Sequence, residues 1–159
     1  MEEKNYLKYE LYKQNKEKLS KAMKNEFYFE ALLIEYAIIE DRVDSLFRTV
    51  NCKLANSLCR NLNKMKSNAI FTNNKFIRER ITIELVDRLH DWRIARNETV
   101  HALLKATTTD TDFKKIAEEG NELQKILDNK VKSIKGHYET LRKREEKQKA
   151  KEEQSSEQK

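Results

Sequence analysis

The chain holds two glycines and no proline in 159 residues, and this scarcity of breakers limits its folding choices more than any other feature. Glycine opens left-handed turns and proline stops helices, so few places remain for tight turns or breaks. The abundant lysines, glutamates and leucines lose little rotamer freedom in a helix. The expected fold class is therefore all-α, a bundle of four to five helices with a long C-terminal helix.

The length suits about one ordinary domain plus an appendage. Residues 1–141 are expected to form the bundle, and 142–159 a charged, frayed or disordered tail. In that tail "RKREEKQKAKEEQSSEQK" loses all apolar periodicity and buries too little surface to order itself. A net charge of +6, from 33 basic and 27 acidic residues, favours a polyanionic partner, although much of it is compensated on helix faces. A soluble, highly charged surface is the plainer reading.

Cys52 and Cys59, seven apart on an expected helix, match no common zinc spacing and are too distant to close a disulfide there. Both are read as reduced, half-buried thiols. The opening "MEEKNYLKYE" lacks a secretion-signal core and no apolar run reaches spanning length, so a cytoplasmic protein with no membrane partner is expected.

Helices are expected from about Asn5 to Lys24 and from about Glu26 to Val50. In the first, tyrosines interleave with lysines, and packing is favoured over stacking on bases. "LANSLCRNLNKM" and "KFIRERITIELVDRLHDW" follow, joined by "SNAIFTNN", whose asparagines tolerate the left-handed conformation. Ile77, Ile81, Leu85, Leu89 and Trp92 form a core stripe. "TTTDTD" is expected to end one helix and start the next. A final seam of Phe113, Ile116, Gly120, Leu123, Leu127, Val131, Ile134, Tyr138 and Leu141 would close the bundle or pair with a second chain.

On the second helix Glu35 and Arg42, seven residues apart, fall inside the face made by Phe27, Ala31, Ile34, Ile38, Ile39, Val43 and Leu46. A charge placed there needs a partner. The two residues either pair with each other or a neighbouring helix to fix register, or line a site.

The remaining candidate is "RIARNETVH". An arginine with four to six residues between it and a following histidine arises roughly 0.6 times in a shuffle of this composition, and requiring Asn, Asp or His after the arginine lowers this below ~0.1. Asn97 and His101 share a helix face, whereas Arg96 points about 140° away from His101. Convergence requires either a helix beginning near Asn97, which would also keep His101 neutral, or a second subunit.

An all-helical domain with Arg96-Asn97-x-x-x-His101 late in the bundle, set in "DWRIARNETVHALL", resembles the HEPN superfamily (higher eukaryotes and prokaryotes nucleotide-binding). Beyond the motif the likeness is architectural, over roughly Asn5 to Leu141. The resemblance implies a metal-independent endoribonuclease without cofactors, acting as a homodimer on single-stranded RNA in a toxin or antiviral defence role, with an antitoxin or defence-system partner. It assigns catalysis to Arg96 and His101, with Asn97 supporting them, and implies 2′,3′-cyclic phosphate and 5′-hydroxyl products. In nucleotidyltransferase-paired toxins of this superfamily a tyrosine often stands two residues after the histidine, where this chain has Leu103. The competing expectation is a non-catalytic interaction or RNA-binding protein using the long C-terminal helix and basic surface.

Overall fold

The structure, a computed structural model, describes residues 2–103 and 110–156. Among them are α1 (Glu2–Lys24), α2 (Tyr28–Thr49), α3 (Leu58–Ser67), the single-turn α4 (Ala69–Thr72) and α5 (Lys75–Arg78), α6 (Ile83–Leu103) and α7 (Asp110–Ser156). The expected all-α bundle is present. The first half of "TTTDTD", Thr107 to Thr109, lies outside the described residues.

The centre of the bundle is α2, whose most extensive partner is α7, with α1, α3 and α6 packed around them. Ala31, Leu32, Ile38, Ile39, Val43, Leu46 and Phe47 of α2 are buried against Leu123, Leu127, Val131 and Ile134 of α7 in one continuous core. Each large side chain removed from water there contributes about 1.5–3 kcal/mol before entropy is subtracted. The α7 seam closes this chain's own bundle and is buried as far as Ile134, whereas Leu141 is exposed. From residue 142 to 156 the backbone continues as helix, its described side chains exposed.

Helix boundaries are set by side chains that satisfy free amides. Ser57 accepts from the Arg60 amide at the start of α3, and Asn68 and Asn74 accept from Ile70 and Ile77 at the starts of α4 and α5. Thr82 Oγ1 accepts from the Leu85 amide and separates α5 from α6. The core stripe therefore survives on two helices, and Ile77, Ile81, Leu85, Leu89 and Trp92 are all buried. The asparagines of "SNAIFTNN" act as side-chain caps, an alternative to the left-handed role expected of them.

Left-handed backbone falls elsewhere, at Glu26 and Asn51. After α1, Phe27 donates to Ala22 O and Glu26 to Met23 O; after α2, Cys52 donates to Phe47 O and Asn51 to Arg48 O. Both are Schellman closures made without glycine, at the steric cost of a Cβ in that conformation. They correct the placement of Cys52, which lies beyond α2 in a connection rather than on a helix; both cysteines are free. Tyr6 and Tyr9, expected to pack, are instead 66% and 63% exposed.

Candidate functional site

Helix α6 runs without interruption from Ile83 to Leu103, so no break occurs at Asn97. His101 is exposed in the last turn of this helix, which removes the argument that a helix start keeps it neutral. Arg96 Nη1 donates to Asn97 Oδ1 at 3.1 Å, and its guanidinium lies 4.9 Å from the centre of the Tyr36 ring on α2. The neighbouring amide and ring hold the guanidinium in place, while its Nε is buried without a hydrogen-bond partner. Five helical steps carry Arg96 about 140° round from His101. One chain therefore presents an oriented arginine and an exposed histidine on diverging faces.

The α2 surface beside Arg96 is unusually apolar. Phe29, Leu33 and Tyr36 follow at steps of four and three and share one face; Phe29 and Leu33 are exposed and Tyr36 is half-buried. Tyr36 titrates above an ordinary phenol because it is partly buried and lies near Glu40, although Arg93 and Arg96 oppose the shift.

Glu35 and Arg42 do not meet each other. Glu35 is fully buried with both carboxyl oxygens unpartnered, and burial pushes its pKa up to about 9. It lies under Trp92, whose indole N–H donates to Ile116 O at 3.0 Å, and against Gly120. A Cβ at Gly120 would sit 2.7 Å from Trp92 Nε1 and collide with Glu35 Oε2. This glycine serves close helix packing, which explains a helix-weakening residue in the middle of α7.

Two turns along α2, Arg42 opens onto a cleft of about 950 Å³ between α1, α2 and α7. Its guanidinium stacks 4.0 Å from the Tyr12 ring centre, pairs with Asp41 and lies 3.5 Å from Asp128 Oδ1. Asp128 also receives Lys132 at 2.9 Å and Lys16 at 3.8 Å. Burial raises this carboxyl, but the Lys132 hydrogen bond and the surrounding cations outweigh it and hold Asp128 below the ordinary value. Lys16 is lowered chiefly by burial, despite the opposing pull of Asp128. Tyr12 is raised by burial and by the Asp128 carboxylate.

The cations lining this cleft are Lys13, Lys16, Arg42, Arg48, Lys132 and Lys135, with Asp128 as the one carboxylate among the lining residues. Sequence periodicity missed the cleft because its cations come from three helices spread over more than a hundred residues. The three-residue spacings of Lys13 to Lys16 in α1 and of Lys132 to Lys135 in α7 were the local signals of shared faces.

His90 Nε2 stands 4.0 Å from Cys59 Sγ, and the His137 ring stacks on Phe76 with centres 3.9 Å apart. Among the described residues no group of three or more His, Cys, Asp or Glu side chains is placed to hold a metal ion, and no helix is long and apolar enough to cross a membrane.

Fold and site together define an all-helical bundle with an arginine-histidine pair at the end of α6 and a separate basic cleft. Comparison with protein-family models, curated proteins and solved structures finds no match to this chain.

Proposed function

We propose that the chain is a metal-independent endoribonuclease of the HEPN type, active as a two-fold dimer in a toxin or antiviral defence role. The observation that carries this reading is the pairing of Arg96 with Asn97 and Tyr36, five residues before an exposed His101 on the same helix. Because α6 is continuous, Arg96 and His101 of one chain diverge, and a second copy is the remaining route to a joint site. The exposed stripe of Phe29 and Leu33 leading to Tyr36 supplies apolar surface for that contact.

In the proposed reaction the ribose 2′-oxygen attacks the adjacent phosphorus as its proton is removed, the P–O5′ bond breaks, and the departing 5′-oxygen takes a proton. His101 serves as general acid or base, and Arg96 balances the charge growing on the phosphoryl oxygens. Asn97 holds the guanidinium in position. The products are a 2′,3′-cyclic phosphate and a 5′-hydroxyl, and DNA, lacking the nucleophile, is not cut. The RNA target and any antitoxin belong to the same proposal.

The test is cleavage of single-stranded RNA in EDTA by the purified full chain. His101→Ala and Arg96→Ala each lower the rate by about 10²–10⁴-fold while helicity and dimerisation persist. Mixing the two inactive variants restores roughly a quarter of wild-type activity, since half the random dimers carry one intact composite site in place of two. Cleavage persisting in both single variants overturns the assignment, and an absence of complementation overturns the shared site.

A further inference from the structure

The cleft between α1, α2 and α7 is charged beyond any structural need. Asp128 touches Lys16, Arg42 and Lys132, Asp41 also pairs with Arg42, and Asp44 pairs with Arg48, so three carboxylates face the six cations of the cleft. Lys13 and Lys135 pair with no carboxylate among the described residues. Within the cleft Arg42 Nε is buried without a hydrogen-bond partner, and the Tyr12 hydroxyl faces the Asp128 carboxylate. Like charges gathered on low-dielectric walls repel one another and focus a field that attracts polyanions.

The shape selects among polyanions. The cleft continues into a second groove of about 390 Å³ that shares Arg48, Thr49 and Lys135 and extends to Arg142 and Glu145. From Asp128 to Glu145 the trough follows α7 for about 26 Å, at roughly 1.5 Å per residue. A compact phosphate ligand would fill only one end of it. Tyr9, largely exposed, lines the cleft, and half-buried Tyr138 lines the groove. Aromatic rings spaced along a basic groove are how proteins hold single strands without reading their sequence, each stacked base contributing about 1–3 kcal/mol.

We propose that this trough is a track for the backbone of a single-stranded nucleic acid, distinct from the Arg96 and His101 site. Arg42 and Tyr36 are six residues apart on α2 and so about 120° apart round the helix, which places the track on a different face from Arg96. Its contacts are with phosphates and base faces, so DNA and RNA strands bind alike. That the strand in the cell is RNA rests on the endoribonuclease reading; binding itself does not.

Fluorescence anisotropy of the full chain in EDTA, with a 20-nucleotide oligo-dT and a 20-nucleotide oligo-U across a salt series, tests the track. The wild type is expected to bind both with similar affinity, and the triple variant Lys13→Gln/Lys132→Gln/Lys135→Gln, with helicity unchanged, to bind at least tenfold more weakly. The slope of log affinity against log salt falls by about 2 in that variant, from three lost phosphate contacts on a single strand. Arg48→Gln gives an independent, smaller loss of the same sign. Wild-type affinity in the triple variant overturns the track, as does oligo-U binding without oligo-dT binding. Inorganic triphosphate binding as tightly as oligo-dT overturns it in favour of a compact phosphate pocket. Oligo-dT is not a substrate for 2′-hydroxyl attack, so a wild type that binds it but leaves RNA uncut supports the track and refutes the nuclease reading.

Discussion

Glu35 and Arg42 lie on one face of one helix, two turns apart, yet their surroundings treat charge in opposite ways. Around Glu35 the packing of α2 on α6 and α7 is dry, no cation is within reach, and the carboxyl is kept neutral. Around Arg42 the helices leave an open cleft, Asp41, Asp128, Lys16 and Lys132 gather there, and Asp128 is kept charged. The difference shows that a charge on an apolar stripe does not by itself announce an ion pair. What decides is whether the facing helix brings a small residue, as Gly120 does, or a countercharge, as Asp128 does.

This contrast can be broken by experiment at several points, and the largest effect is expected at Glu35. Its folded pKa is raised, so the unfolded chain releases the proton first. Stability is then full below about 4.5 and declines as pH climbs towards about 9, by at most about 1.4 kcal/mol per pH unit. Glu35→Met should flatten that decline and stabilise the fold at pH 8, as read from urea midpoints across a pH series; an unchanged slope would mean the carboxyl has a partner. At the other end of the interface, Asp128→Asn strips Arg42, Lys16 and Lys132 of their shared countercharge and should cost about 3 kcal/mol at neutral pH. Asp128 titrates below its ordinary value when folded, so its contribution is present above an unfolded pKa of 3.8 and lost as pH falls further. The variant should therefore lose the acid limb that Glu35→Met retains.

A smaller effect is expected at Gly120. Gly120→Ala improves helix propensity by about 1 kcal/mol but drives a methyl into Glu35 and Trp92, for a net loss of about 2 kcal/mol in equilibrium denaturation. Combining it with Glu35→Ala should recover part of that loss, and strict additivity would show that the two positions do not touch. The smallest effect belongs to Arg48, one and a half turns beyond Arg42, whose contact with Asp44 is 3.4 Å long and exposed. Arg48→Gln should change stability by less than about 0.5 kcal/mol, whatever it does to nucleic-acid affinity.

The helices were legible in the sequence because their stripes are local, and the stripe from Ile77 to Trp92 held even where Thr82 divided it. The placement of Glu35 and Arg42 on the core-facing stripe was legible too; Arg42 has the partner expected of it in Asp128, whereas Glu35 is buried without one. Whether the facing residue is Gly120 or Asp128 depends on the register of α7 against α2, which no spacing within either helix encodes. Left-handed closures at Glu26 and Asn51 escaped notice because neither position carries glycine, and they are enforced by the carbonyls they satisfy. At the candidate site the 140° divergence of Arg96 from His101 was readable in advance, and the uninterrupted course of α6 leaves it in place within one chain.

Helix α7 also has a mechanical consequence. Its 47 residues span about 70 Å, more than twice the diameter of a small domain. About 22 Å of that, from residue 142 to 156, continues past the last seam residue as helix, with exposed side chains through Glu152. The projecting segment therefore adds friction with solvent without adding packing, while cooperativity of unfolding resides in the bundle at its base. Rotation about the rod axis should be faster than end-over-end tumbling, and a spectroscopic label on the tip would report the orientation of the whole molecule through a lever about as long as the bundle is wide.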